Sequence, residues 1–192
     1  MDRVEERAAQ TLARVPEWLW DGESLPVPVE DITDSVYGLL VRDVEDMTAA
    51  PGAPALAPGQ SLSGLLLAAR GEIWVNADEA RTWPTRRRFT IGHELGHWEL
   101  HRNAQQTLFC RSTTVKEDQP PTVPDIEEEA SRFAAALLMP QWLMVRAYGE
   151  HGDDLDAMCT TFRTSGIAMQ RRMSDLFVRD APRSPTSPSG SQ

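Results

Sequence analysis

The run His93-Glu94-Leu95-Gly96-His97 holds the clearest chemistry in the chain. Two imidazoles four positions apart share one face of a helix, one turn from each other. Both rings can then reach a single metal ion, and Glu94, directly after the first, can take a proton from a water beside that ion. Zinc suits such donors: it binds imidazole nitrogen at about 2.0–2.1 Å, and its catalytic sites keep one position open for water. Three of the four histidines, His93, His97 and His101, recur at this interval, more order than a surface helix with incidental histidines requires. His101 lies eight residues from His93, about 12 Å along a helix axis, too far for one ion to bind both. Its expected role is to support the site from behind or to end the helix, with a plain structural role as the alternative.

A third protein ligand has to come from another segment. In residues 124–140, Ile126, Ala130, Phe133, Ala134, Leu137 and Leu138 form one apolar stripe at helical spacing. Glu127 borders that stripe, Glu129 sits further round and Glu128 points nearly opposite. Only a glutamate beside the buried stripe can face the first helix, which favours Glu127, with Glu129 as the alternative. Glu128 reads as part of a solvated acidic first turn, where the helix dipole favours negative charge.

The first helix must carry the motif. Pro84 suits its opening turn, no proline follows until Pro120, and Phe89, Ile91, Leu95, Trp98 and Leu100 supply apolar surface. Gly92 and Gly96 each cost up to about 1 kcal/mol of helix propensity; what they offer in return is close approach of a neighbouring backbone. Tyr148 and Arg86 are candidates to steady an oxyanion, but spacing does not choose between them.

The pattern His-Glu-Leu-Gly-His-Trp-x-Leu-His at 93–101, followed by Ile-Glu-x-Glu-Ala-Ser-x-Phe-Ala-Ala-x-Leu-Leu-Met-Pro at 126–140, resembles the ImmA/IrrE family of metallopeptidases. The likeness spans roughly residues 25–145 and rests on two separated motifs in the expected order. It implies a zinc-dependent endopeptidase with a glutamate as third ligand, often paired with a helix-turn-helix repressor as substrate. By position it implies His93, His97 and Glu127 as metal ligands and Glu94 as the catalytic glutamate. Ser131 departs from the pattern, because many members have Asn or Asp after the alanine; that bears on a contact behind the metal, not on the metal itself.

The remaining composition narrows the classes. The 192 residues carry 29 acidic and 19 basic side chains, a net charge of −10, which argues against broad non-specific binding of nucleic acid. Hydrophobic residues make up 41%, enough for a sizeable core. Cys110 and Cys159 alone do not make a disulfide framework. The opening Met1-Asp2-Arg3-Val4-Glu5-Glu6 is not a signal peptide and no apolar run is long enough to span a bilayer, so a soluble cytoplasmic protein is expected.

Taken in order, residues 2–15 predict an amphipathic helix with Val4, Ala8, Leu12 and Val15 on one side, stopped at Pro16. Trp18, Leu19 and Trp20 are expected to pack on the core. A short helix over 29–36 ends at Gly38, and 39–44 reads as a strand. Residues 48–60 form a loop rich in Ala, Pro and Gly. Residues 62–69 and 72–76 predict an antiparallel hairpin turning at Arg70-Gly71. A sheet edge beside the metal helix would offer an extended peptide a strand to pair with, unless that edge is covered.

Residues 102–124 read as a polar connector. Within it, a Cys110 thiolate could occupy the open zinc position and hold the site latent, against a bystander thiol as the plainer alternative. A helix over 141–148 precedes two more, over 153–162 and 165–177, joined by a tight turn with Ser165 as N-cap. This pair resembles a helix-turn-helix whose Arg163, Arg171 and Arg172 could meet phosphates. Packing on the metal domain is the preferred reading, because the chain is acidic and few basic residues cluster there. Residues 181–192 are expected to be disordered.

These readings combine into an α+β fold: a small antiparallel or mixed sheet against a zincin-like active-site helix, with a helical C-terminal part. The expected division is a metallopeptidase domain at 1–148, a helical pair at 149–180 and a tail at 181–192. The expected function, as the family resemblance implies, is zinc-dependent cleavage of a helix-turn-helix transcriptional repressor, as regulatory proteolysis in a stress or mobile-element response. The alternative is a non-catalytic, zinc-containing module acting through protein or DNA contacts. Direct DNA binding and membrane contact are not expected.

Overall fold

A computed structural model describes residues 2–51, 53, 56, 60–101, 108–112 and 124–178. Helix α1 (Arg3–Ala13) buries Val4, Ala8 and Leu12, spaced four apart as the amphipathic pattern requires. Beyond it Trp20 is buried and donates its indole N–H to the Ser24 carbonyl (2.7 Å), and Leu19 packs on the core. Trp18 departs from expectation. It is 78% exposed, because the chain is already turning after Pro16 and only one side of that turn meets the core.

Helix α2 (Val29–Ser35) buries Val29 and Ile32, and the chain reverses at Gly38, whose φ of 64° suits a residue without a Cβ. Among the described residues four strands follow: β1 (Leu40–Val44), β2 (Ser61–Leu67), β3 (Glu72–Asn76) and β4 (Leu108–Ser112), in the spatial order β1-β3-β2-β4. β1 lies parallel to β3, while β2 is antiparallel to both β3 and β4, so the sheet is mixed. The predicted hairpin is β2–β3, shortened by a 3-10 turn at Ala68–Arg70 and closed by Gly71 at φ 63°. β3 alternates, with Ile73 and Val75 buried, whereas β2 is buried on both faces from Leu62 to Leu67. Such a strand must be interior to the sheet.

That alters the sheet-edge expectation. The strand beside the metal helix is β2, and its main-chain groups are taken on both sides by β3 and β4. The outer strands are β1 and β4. β4 itself sits where a plain connector was expected; only Leu108, Phe109 and Cys110 break the polar run, too short a signal to stand out. The Cys110 backbone pairs with Gly64, but its thiol, and with it the latch idea, lies outside the described residues. So do much of the 48–60 loop and the 181–192 tail.

Helix α3 (Ala77–Thr82), N-capped by the Asn76 side chain, leads from β3 into α4 (Pro84–His101). α4 packs across β2 and against α5 (Pro124–Leu138), and α1 covers α5. α6 (Gln141–His151), α7 (Leu155–Phe162) and α8 (Gly166–Met173) continue the helical side, with a π turn at Ser174–Val178. Ser165 caps α8 as its type predicts. Met158, Phe162 and Met169 share one core with Ile91, Leu95, Phe133 and Leu137. Of the three arginines considered for phosphate contact, Arg172 is 4% exposed, pairs with Glu5 of α1 and donates to the Met139 carbonyl (3.0 Å). Its charge is committed inside the protein. Among the described residues, no helix is long and apolar enough to cross a membrane.

Candidate metal centre

α4 turns one face toward β2 and another toward α5, and the motif lies where these faces meet. His93, Glu94 and His97 are all buried there. Two glycines set the distance to α5. A Cβ on Gly96 would stand 3.0 Å from the Ala130 carbonyl oxygen and 3.1 Å from Phe133 Cδ1; one on Gly92 would stand 3.3 Å from the Ala134 Cβ. The helices therefore cross nearly backbone to backbone, and Glu127 on α5 comes within reach of both imidazoles. Gly96→Val should wedge them apart, at about 1–3 kcal/mol in stability and with loss of stoichiometric metal. Urea unfolding and metal analysis of the purified variant check both.

Three side chains converge. His93 Nε2 lies 3.0 Å from His97 Nε2; Glu127 Oε2 is 3.2 Å from the first ring and Glu127 Oε1 3.3 Å from the second. The edge of a tetrahedron around an ion with bonds of about 2.05 Å is roughly 3.3 Å. Two ring nitrogens and a carboxylate at that spacing fit a divalent cation as they stand. Burial opposes charge on Glu127, but the His93 and His97 rings beside it outweigh this and hold its carboxyl down to about 2. Burial pushes His97 below the ordinary imidazole range despite Glu127, so the neutral ring, with a lone pair to give, is favoured.

Glu94 stands apart from the trio and against β2. Both of its carboxylate oxygens are buried with no hydrogen-bond partner among the described residues. Burial first, and the charge of Glu127 second, push its pKa well above the ordinary carboxylate range; the Leu66 backbone amide favours the anion but does not reach hydrogen-bond geometry. Its seat depends on Gly64, where a Cβ would fall 2.6 Å from Glu94 Oε1 and 2.4 Å from Thr90 Cγ2. The geometry thus brings His93, His97 and Glu127 around one point, with Glu94 against β2 beside them.

The supporting contacts are ordered as well. Ser131 Oγ lies 3.2 Å from His93 Nδ1, so the hydroxyl reaches the ring despite the departure from Asn or Asp. Glu129, the alternative ligand, turns away from the trio: its Oε2 is 2.9 Å from His101 Nε2, and its Oε1 accepts from Arg3 at 2.6 Å. Glu128 is exposed, as expected. Arg86 pairs with Glu79 (3.0 Å), and Tyr148 donates to Asp153 (2.8 Å) and stacks on Phe177, so neither belongs to the cluster. Gly64 went unmarked at the sequence level, because nothing in β2 announces that a carboxylate will press on it.

The peptidase family described as the IrrE N-terminal-like domain matches residues 55–174. The chain belongs to this family. The match covers well over half of the 192 residues, includes both α4 and α5, and runs on through α8. Within the IrrE-like region lie His93, Glu94, His97 and Glu127, while α1, α2 and β1 precede it. No curated protein shows a significant match to the chain.

Proposed function

We propose that this IrrE-like chain is a zinc-dependent endopeptidase that cuts a helix-turn-helix transcriptional repressor. The observation that carries the peptidase reading is the meeting of two imidazoles and a carboxylate at 3.0–3.3 Å, beside a buried carboxylate that has no hydrogen-bond partner among the described residues. His93, His97 and Glu127 would hold the ion. Zinc in that position supplies Lewis acidity toward a water and a peptide carbonyl, lowering the water's pKa toward about 7.

Glu94 does the proton work. Its carboxylate takes a proton from the attacking water as the new C–O bond forms, and passes it to the amide nitrogen as the C–N bond breaks. An extended substrate segment can pair with the outer edge of β4, whose inner edge is taken by β2. The repressor as substrate rests on the family resemblance, and it would place the reaction in the cytoplasm. The acidic net charge of −10 and the burial of Arg172 fit contact with a protein rather than with DNA.

The test is to incubate the zinc-loaded full-length chain with candidate helix-turn-helix repressors, any encoded beside its gene first. A discrete cut is expected, stopped by a chelator and restored by added zinc. Intact repressor bound tightly to a zinc-loaded chain would instead support a non-catalytic regulatory module.

A further inference from the structure

The hydrogen bonds behind His97 run in one direction only. Its Nδ1 faces His101 Nδ1 at 3.3 Å, so one of those nitrogens must donate and the other accept. The far side of His101 settles which. Its Nε2 lies 2.9 Å from Glu129 Oε2, and a carboxylate can only accept. The hydrogen on a neutral His101 ring therefore sits on Nε2, its Nδ1 is bare, and His97 must donate from Nδ1. That leaves a lone pair on His97 Nε2, the atom that faces His93 and Glu127. Arg3 closes the outer end by donating to Glu129 Oε1 at 2.6 Å, which leaves Oε2 to His101.

The two imidazoles of the trio differ in this respect. His93 Nδ1 meets only the Ser131 hydroxyl, which can donate or accept and so imposes no order. His97 is dictated by a chain of acceptors that begins at a charge.

We propose that His101 and Glu129 are positioning residues that fix the tautomer of His97 and hold its Nε2 lone pair ready for the metal. This rests on His97 being a metal ligand. The arrangement differs from a helix end that happens to finish in histidine, because it assigns the ring protons of His97 and His101 before any metal binds. Partners behind metal-bound histidines commonly contribute about 10–100-fold to metal affinity.

The test uses the full chain, labelled with 15N on histidine, metal-free and at about pH 8, above the ordinary imidazole range. Long-range 1H–15N correlation spectra should report His97 as the Nδ1–H tautomer and His101 as the Nε2–H tautomer. His101→Phe, which keeps ring volume but removes both nitrogens, should release His97 from that tautomer. In competition with a chromophoric chelator it should weaken zinc binding about 10–100-fold, and Glu129→Ala should act in the same direction. A metal-free parent with the His101 hydrogen on Nδ1 would overturn the proposal, as would a folded His101→Phe chain with parental zinc affinity. If the variants fail to fold, the parent spectrum decides alone. A parent with the expected tautomers that takes up no zinc would support the proton order and overturn the peptidase reading instead.

Discussion

Glu94→Gln is expected to bind zinc with the parent's stoichiometry and to cleave its substrate about 10²–10⁴-fold more slowly, the usual worth of a positioned acid–base group. The amide keeps the shape of the side chain that lies against Gly64 but can neither take the water's proton nor return it. A second consequence appears in the metal-free protein. The folded chain holds Glu94 protonated well above its ordinary value of 4.5, while the unfolded chain ionises near that value. The parent therefore loses stability as pH rises from there toward the folded pKa, and glutamine does not. Metal-free Glu94→Gln should match the parent near about pH 4 and exceed it at about pH 8, as read by denaturant midpoints. Parental cleavage by this variant would remove Glu94 from the mechanism.

Gly64→Ala should separate catalysis from metal binding more cleanly still. The added methyl would meet the end of the Glu94 side chain at 2.6 Å, which can swing aside, and the buried Thr90 Cγ2 at 2.4 Å, whose stiff β-branched side chain gives way only at some cost in stability. The fold and the His93–His97–Glu127 cluster should survive. Glu94, however, would leave its seat, and a displacement of about 1 Å in a reacting group can lower the rate about 100-fold. Zinc titration with parental affinity, alongside a fall of that order in kcat/KM, is the expected pair of results. An unchanged kcat/KM would show that Glu94 does not act from the position against β2.

The cluster was legible in the sequence because helix geometry converts spacing directly into direction. His93 and His97 had to share a face, and Glu127 had to border the stripe containing Ala130 and Phe133. The same logic located α1, α4, α5 and the β2–β3 hairpin. It failed where local pattern is silent. Trp18 was expected inside on hydrophobicity alone, yet a turn offers inward and outward positions that its neighbours do not mark. β4 is five residues long and owes its existence to the exposed hydrogen-bonding edge of β2, a partner distant in sequence. The roles of Gly64, and of His101 with Glu129, depend on which atoms meet across elements, and no single segment records that.

Helix α1 precedes the stretch that the family outline covers, yet its polar side chains are anchored inside it. Arg3 reaches Glu129, Arg7 and Arg14 approach Glu99 at 3.6 and 3.7 Å, and Glu5 receives Arg172. A clone trimmed to 55–174 would strand the Glu99 carboxylate in the interior opposite no cation and leave Arg172 without its anion. It would also strip Val4, Ala8 and Leu12 from the core that α5 shares. The folding unit is wider than the family signature, and reagents for biochemistry or crystallisation should begin at the first helix.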